Sequence, residues 1–182
     1  MNLEKGKEVA IFAGGCFWCT EAVFLQLEGV ISIMPGYIGG KNPNPTYEEV
    51  CSGYSGHAEA VEIIFDSTKI SYQELIEVFF ATHDPTTINR QGNDVGSQYR
   101  SEVFYTNENQ KKIVQGYINF LNTENTFGKK VITKISEAST FYVAEDYHKN
   151  YYNQNKNKSY CEYVITPKVE KVKKEFKDKL KN

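Results

Sequence analysis

The sequence predicts an α/β chain in which one sheet packs against helices within a single domain. Three observations point there. Short runs that alternate or stay apolar, as strands do, occupy residues 8–13, 30–34, 57–65, 102–105 and 131–135. Between them, residues 20–27, 71–82 and 107–121 are free of helix breakers and carry apolar side chains at helical spacing. No internal repeat or composition shift divides the 182 residues before about Ser136, and that length suits one domain with a buried core.

Each element has its own signal. EVAIFA at 8–13 is a short apolar run closed by Gly14 and Gly15, which suits a buried strand. Ala22, Val23, Leu25 and Leu27 continue as a helix ending near Gly29. Residues 30–34 form a second strand, expected to stop at Pro35-Gly36, and YIGGKNPNP at 37–45 is turn chemistry. Residues 57–65 alternate. Ser71 and Glu74 have capping-box spacing ahead of Leu75, Ile76, Phe79 and Phe80. Ile113, Val114, Tyr117 and Leu121 give the helix at 107–121 its inner face. The polar, Tyr- and Asn-rich stretch 146–159 reads as an ordered coil or a mobile arm. Thr166 as cap, Pro167 in the first turn and the stripe Val169, Val172, Phe176, Leu180 predict a docked terminal helix.

Composition excludes several functions. A net charge of -2 offers no electrostatic footprint for nucleic acid or an anionic membrane surface. The first eight residues, MNLEKGKE, lack a signal-peptide pattern, and no apolar run approaches the ~18 residues of a membrane span. The expected compartment is the cytoplasm, where Cys16, Cys19, Cys51 and Cys161 stay reduced. They are then free, catalytic or metal-bound. With a single C-x-x-C and no second close Cys or His pair, no metal site is expected.

The strongest chemical signal is the junction of strand, Gly14-Gly15-Cys16 and helix. A cysteine at a helix start faces free backbone N–H groups and the positive end of the dipole. Both favour thiolate, so a Cys16 thiol below the ordinary ~8.5 is expected. Cys16-Phe17-Trp18-Cys19 also permits a thioredoxin-like disulfide exchanger, and burial as a small apolar residue is the bland alternative.

GCFWCTEAVF resembles the active-site motif of the type-A peptide methionine sulfoxide reductases. Further blocks resemble that family in order: GYIGG at 36–40, PNPTYEEVCSG at 43–53, GHAEAV at 56–61 and QGNDVGSQYRS at 91–101. The resemblance implies a two-layer sheet-and-helix sandwich, a ferredoxin-like plait, filling residues 1–182 with a long coiled C-terminal arm over 141–182. It implies reduction of methionine-S-sulfoxide, free or in proteins, as repair after oxidative damage, without a cofactor. Cys16 would be the nucleophile and Glu59 the proton donor, its carboxyl raised by burial on the strand between Ala58 and Ala60. Tyr47 and Tyr99 would hydrogen-bond the sulfoxide oxygen, and Asp94 would orient the site or contact a water. Phe17 and Trp18 would wall the pocket for the S-methyl group. His57 is given no chemistry, and Cys51 is read as buried structure beside Tyr47.

A sulfenic acid on Cys16 would condense with a second thiol. Cys161, after Tyr160 on the arm, resembles the family's resolving cysteine. Cys19, where many relatives carry Gly, is the alternative. Thioredoxin would restore the dithiol to a monomeric enzyme. Besides the disulfide exchanger, a non-catalytic module that binds methionine-containing peptides remains open, and its binding would survive alkylation of Cys16.

Overall fold

A computed structural model describes residues 3–182. Its centre is a βαββαβ unit: β1 (Lys7–Gly14), α1 (Phe17–Phe24), β2 (Val30–Ile38), β3 (Ala58–Asp66), α3 (Tyr72–Ala81) and β6 (Ser101–Tyr105). Between β2 and β3 lies the short α2 (Tyr47–Cys51). A two-residue-per-strand hairpin, β4 (Arg90–Gln91) and β5 (Asp94–Val95), precedes β6. The chain continues through α4 (Glu108–Thr123), β7 (Lys134–Glu137), β8 (Tyr142–Val143), α5 (Tyr151–Gln154) and α6 (Thr166–Glu175).

The main sheet runs β7-β6-β1-β3-β2-β8, antiparallel except for the parallel pair β6/β7. Its inner four strands, β6-β1-β3-β2, make the expected ferredoxin-like plait. Alternation along β1 decides the two faces. Ala10 and Phe12 point toward the helices, where Phe12 stacks on Phe79 at 4.9 Å between centroids and meets Phe24 at 5.4 Å. Ile11 and Ala13 point the other way, into a smaller cluster with Ile38, Ala58, Ala60 and Phe104. Glu59, between those two alanines on β3, therefore faces the helical layer.

Strand pairing also fixes the level of the site along the sheet. β1 runs antiparallel to β3 with Phe12 opposite Val61, so the C-terminal end of β1 meets the N-terminal end of β3. Tyr37 on β2 lies directly opposite Glu59. The turn into α1 thus starts beside Glu59.

Several boundaries differ from the sequence reading. β2 does not stop at Pro35-Gly36 but runs on to Ile38. Pro35 pairs with Val61, and its carbonyl accepts from Ala144 N at 2.9 Å, so its missing N–H faces the side where β8 has already ended at Val143. α1 starts three residues earlier than expected, immediately after Cys16, and β7 lies over 134–137 rather than 131–135. The capping box of α3 forms as expected, with Ser71 accepting from Glu74 N.

The C-terminal arm is ordered into short turns rather than coil. Residues Asp146–His148 form a 3-10 turn, and Cys161–Ile165 form a π turn that runs straight into α6. Thr166 is therefore not a cap. Its hydroxyl donates back to the Cys161 carbonyl at 3.1 Å, and Pro167, which has no N–H to give, follows the widened turn. Cys161 sits in a helical segment, not on a mobile arm.

Gly36 is what lets the arm begin where it does. A Cβ there would collide with the Tyr142 carbonyl and with the Phe141 ring. Gly36→Ala is expected to detach β8 and loosen residues 141–160 while leaving the helical core in place. Limited proteolysis checks this: faster cleavage within the arm is expected, and an unchanged cleavage pattern would contradict it.

Candidate active site

The site starts from the β1–α1 turn. Gly15 has φ +101, and a Cβ on it would lie 2.7 Å from Gln91 Cγ, so the turn needs glycine on both counts. Cys16 is the N-cap of α1, with its carbonyl accepting from Cys19 N at 3.0 Å. The first free N–H groups of the helix then find unusual partners. Phe17 N–H donates to Glu59 Oε1 at 3.2 Å, and the Trp18 N–H is directed at the Cys16 sulfur.

Glu59 is 1% exposed, and Oε2 has no hydrogen-bond partner. Burial pushes its carboxyl up to about 8, against the Phe17 N–H and with the help of the Asp94 charge. It is a carboxylic acid at neutral pH with one oxygen free to donate. Cys16 departs from expectation. Burial, the contact with Cys19 and the Glu59 charge push its thiol well up, and the Trp18 N–H does not offset them. Cys19 goes the other way: its interaction with Cys16 brings it down to about 7, with Lys168 and Tyr160 assisting against burial. The two thiols titrate as a pair in which Cys16 keeps the proton.

Tyr47 and Tyr99 flank this centre from α2 and from the 3-10 turn Ser97–Tyr99. Burial and then the Glu59 charge raise both phenols, so both stay protonated donors. Tyr47 lies over Phe17 with ring centroids 6.4 Å apart, and its N–H donates to Glu145 Oε2 at 3.0 Å. Asp94 accepts the Tyr160 hydroxyl at 2.6 Å, so its partner is a tyrosine of the arm. Phe17 is fully buried among Tyr37, Tyr47 and His148, whereas Trp18 is half-buried and stacks on Tyr151 at 3.8 Å.

The arm supplies residues that sequence reasoning missed. Trp18 Nε1–H donates to His148 Nδ1 at 3.0 Å, which leaves a neutral imidazole with its proton on Nε2. Burial lowers the His148 pKa, and Nε2 has no partner among the described residues. Glu145 takes the Tyr37 hydroxyl at 2.9 Å as well as the Tyr47 N–H. Glu21 of α1, itself buried and raised to about 7 by burial, accepts the N–H groups of Asn150 and Tyr151 and pins the arm. Only the density of tyrosine in 141–160 could have hinted at this.

Cys161 is 0% exposed and packs with Cys16, Cys19, Tyr152 and Ile165. Cys51 is exposed on α2, contrary to the buried place expected for it, although its thiol does reach Tyr47. His57 accepts Gly40 N–H at Nδ1 and contacts the Asn42 carbonyl through Nε2 at 2.7 Å, tying down the loop before α2. A cavity of about 880 Å³ opens onto Cys16 and Cys19 between the 82–94 segment and the helical face carrying Tyr160, Lys168 and Lys171. Among the described residues no three His, Cys, Asp or Glu side chains gather to hold a metal ion, and no helix is long and apolar enough to cross a membrane.

The Glu59 proton has a stability consequence. Between its ordinary 4.5 and about 8 the folded chain holds a proton that the unfolded chain has released, so stability falls as pH rises through that window. Glu59→Gln removes this dependence. The variant is expected to melt several degrees above wild type at pH 9 and to lose that advantage toward pH 4. Parallel melting curves at all pH values would contradict a buried, proton-holding carboxyl.

Comparison with known proteins agrees with this geometry. The sequence profile of the family described as peptide methionine sulfoxide reductase matches residues 8–180. The chain is 58% identical over 172 residues to a peptide methionine sulfoxide reductase MsrA of Sulfolobus acidocaldarius, covering 94% of this chain and 97% of that one. It is 55% identical over 175 residues to that of Deinococcus radiodurans, covering 96% and 85%. Among solved structures it is similar to Mxr1 from Saccharomyces cerevisiae in reduced form, with TM-score 0.81, 30% identity and 88% and 92% coverage. It is also similar to methionine sulfoxide reductase A of Corynebacterium diphtheriae, with TM-score 0.73, 34% identity and 84% and 76% coverage. A third structure, Mxr1 in complex with Trx2, shares the fold at TM-score 0.59 and 22% identity, covering 83% and 89%. On profile, identity and fold together, the chain belongs to the peptide methionine sulfoxide reductase family.

Proposed function

We propose that the chain reduces the S epimer of methionine sulfoxide, free or in proteins, through Cys16, and that thioredoxin returns it to the dithiol state. The observation that carries this reading is a protonated, buried Glu59 beside Cys16 with one carboxyl oxygen unpartnered. Sulfoxide reduction needs a soft nucleophile at sulfur and a proton for the oxygen. Cys16 attacks the sulfur, and Glu59 protonates the oxygen. Tyr47 and Tyr99 donate hydrogen bonds to that oxygen from phenols that burial keeps protonated. Phe17 and Trp18 provide the apolar wall against the S-methyl group, with His148 closing the space between the two rings.

Atoms balance in two stages. Sulfoxide and the Cys16 thiol give methionine and a Cys16 sulfenic acid. That acid condenses with a second thiol, losing water to leave a disulfide. The second thiol comes from the same buried cluster: Cys161, which the family resemblance favours, or Cys19. Asp94 acts on this site through Tyr160.

Activity assays with separated epimers and dithiothreitol test the reading. The S epimer should be consumed and the R epimer left. Cys16→Ser should lose essentially all turnover while remaining folded. Glu59→Gln should slow the reductive step roughly 10²–10⁴-fold, the range for a positioned acid, with the wild-type rate itself falling as pH rises past about 8. Equal consumption of both epimers, or a Glu59→Gln rate like wild type, would overturn the assignment.

A further inference from the structure

We propose that the cavity beside Cys16 seats the peptide flanking the methionine sulfoxide of a protein substrate, and that its three lysines favour substrates with acidic residues there. This rests on the reductase reading above and names the class of substrate it selects.

Position is the first argument. The 880 Å³ cavity reaches Cys16, whereas Glu59, Tyr47 and Tyr99 do not line it. The groups that act on the sulfoxide oxygen therefore approach Cys16 from elsewhere, and the cavity is left for what is attached to the reacting side chain. Clefts of roughly 300–1,000 Å³ bury whole drug-sized ligands, so the room here exceeds what one side chain needs. Part of its wall is apolar. Ala81 ends α3, Phe127 follows α4, and Tyr163, Val164 and Pro167 belong to the turn into α6. Tyr163 and Val164 are exposed, which gives a peptide apolar surface to cover.

Charge is the second argument. Lys168 and Lys171, three positions apart, share one face of α6, and Lys129 enters from the segment after α4, near Asp84. Among the described residues none of the three is paired with a carboxylate. The Lys171 ammonium donates to the Ala81 carbonyl, which fixes its place at the rim. Lys168 is half-buried, and a partly desolvated ammonium without a counter-charge gains from an arriving carboxylate.

The cavity's own carboxylates are engaged elsewhere. Asp84 Oδ1 accepts the Thr86 N–H at 2.9 Å and the Thr86 hydroxyl at 2.6 Å, and Asp94 accepts the Tyr160 hydroxyl. His83 is neutral, its pKa lowered to about 4 chiefly by burial. Three ammonium groups against two bonded carboxylates leave the cleft cationic in a chain whose net charge is -2. Residues 166–182 continue that excess with seven lysines against three acidic side chains. Separated cations beside apolar surface match an extended segment that carries carboxylates around an apolar residue, which is what an acidic peptide presents around its methionine.

The test is kcat/KM for three peptides that carry methionine S-sulfoxide between flanking Glu, Gln or Lys residues, with dithiothreitol as reductant. Wild type should favour the Glu peptide over the Lys peptide about tenfold, the order that two exposed ion pairs and the opposing like-charge repulsion allow. The difference should lie in KM, because the lysines hold substrate and transition state alike, and it should shrink at high salt. Lys129→Glu combined with Lys171→Glu should abolish or invert the preference. Taking the ratio within each variant cancels any general loss of activity, and Lys129→Glu alone, at an exposed side chain, should move it in the same direction. Equal kcat/KM for the three peptides, or a ratio that the charge reversals leave unchanged, would overturn the proposal. So would a raised KM for thioredoxin in the double variant with the peptide ratio intact, which would give the cavity to the reductant. Wild type that consumes free methionine S-sulfoxide yet shows no preference fails this inference alone, whereas wild type that consumes none fails the reductase reading itself.

Discussion

The hydrogen bond from Phe17 N–H to Glu59 Oε1 joins the two parts of the molecule on which the proposed chemistry rests. One partner is the open end of α1, and the other is a carboxyl on β3, 42 positions later in the chain. The sheet makes the meeting possible because antiparallel pairing brings the end of β1 to the start of β3. A helix start has N–H groups to spend, and a buried carboxyl needs donors. One donor is enough to orient Glu59 but too little to ionise it. The surrounding side chains therefore keep the proton on Glu59 and leave its second oxygen without a partner.

The arm finishes what the plait begins. Glu145 fixes Tyr37 and Tyr47, His148 fills the gap between Phe17 and Trp18, and Tyr151 covers the indole face. Aromatic pairs of this kind contribute about 0.5–1.5 kcal/mol each beyond their burial. Several together hold a segment that has little periodic apolar pattern of its own. Gly36 and Glu21 place its two anchor points, one at β8 and one at the start of α5. The side of the site that touches Cys19 is thus set by Tyr160, far from the motif in sequence.

Much of this was legible in the chain. The glycine pair before Cys16, the alternation that sends Glu59 to the helical face and the capping box of α3 each rest on local rules that packing did not override. Three things were not legible. The continuation of β2 through Pro35-Gly36 depends on a neighbouring strand from residues 142–143. The helical turn carrying Cys161 depends on packing against Cys16, Cys19 and Ile165. The protonation of Cys16 depends on a balance of magnitudes. A helix N-terminus is worth about 0.3–1 kcal/mol at the surface, rising to about 2 in favourable cases. Full burial shifts a titration by up to about 3–5 units, at about 1.4 kcal/mol each. Burial wins, and nothing in the motif announces how deep Cys16 lies.

The central claim is that Glu59 holds its proton at neutral pH inside the folded protein. Carbon-13 NMR of the glutamate side-chain carboxyls, with the Glu59 resonance assigned by its absence in Glu59→Gln, measures this directly. The account predicts a titration midpoint near 8. A midpoint near the ordinary 4.5 would contradict it, because the group beside Cys16 would then be a carboxylate with no proton to give.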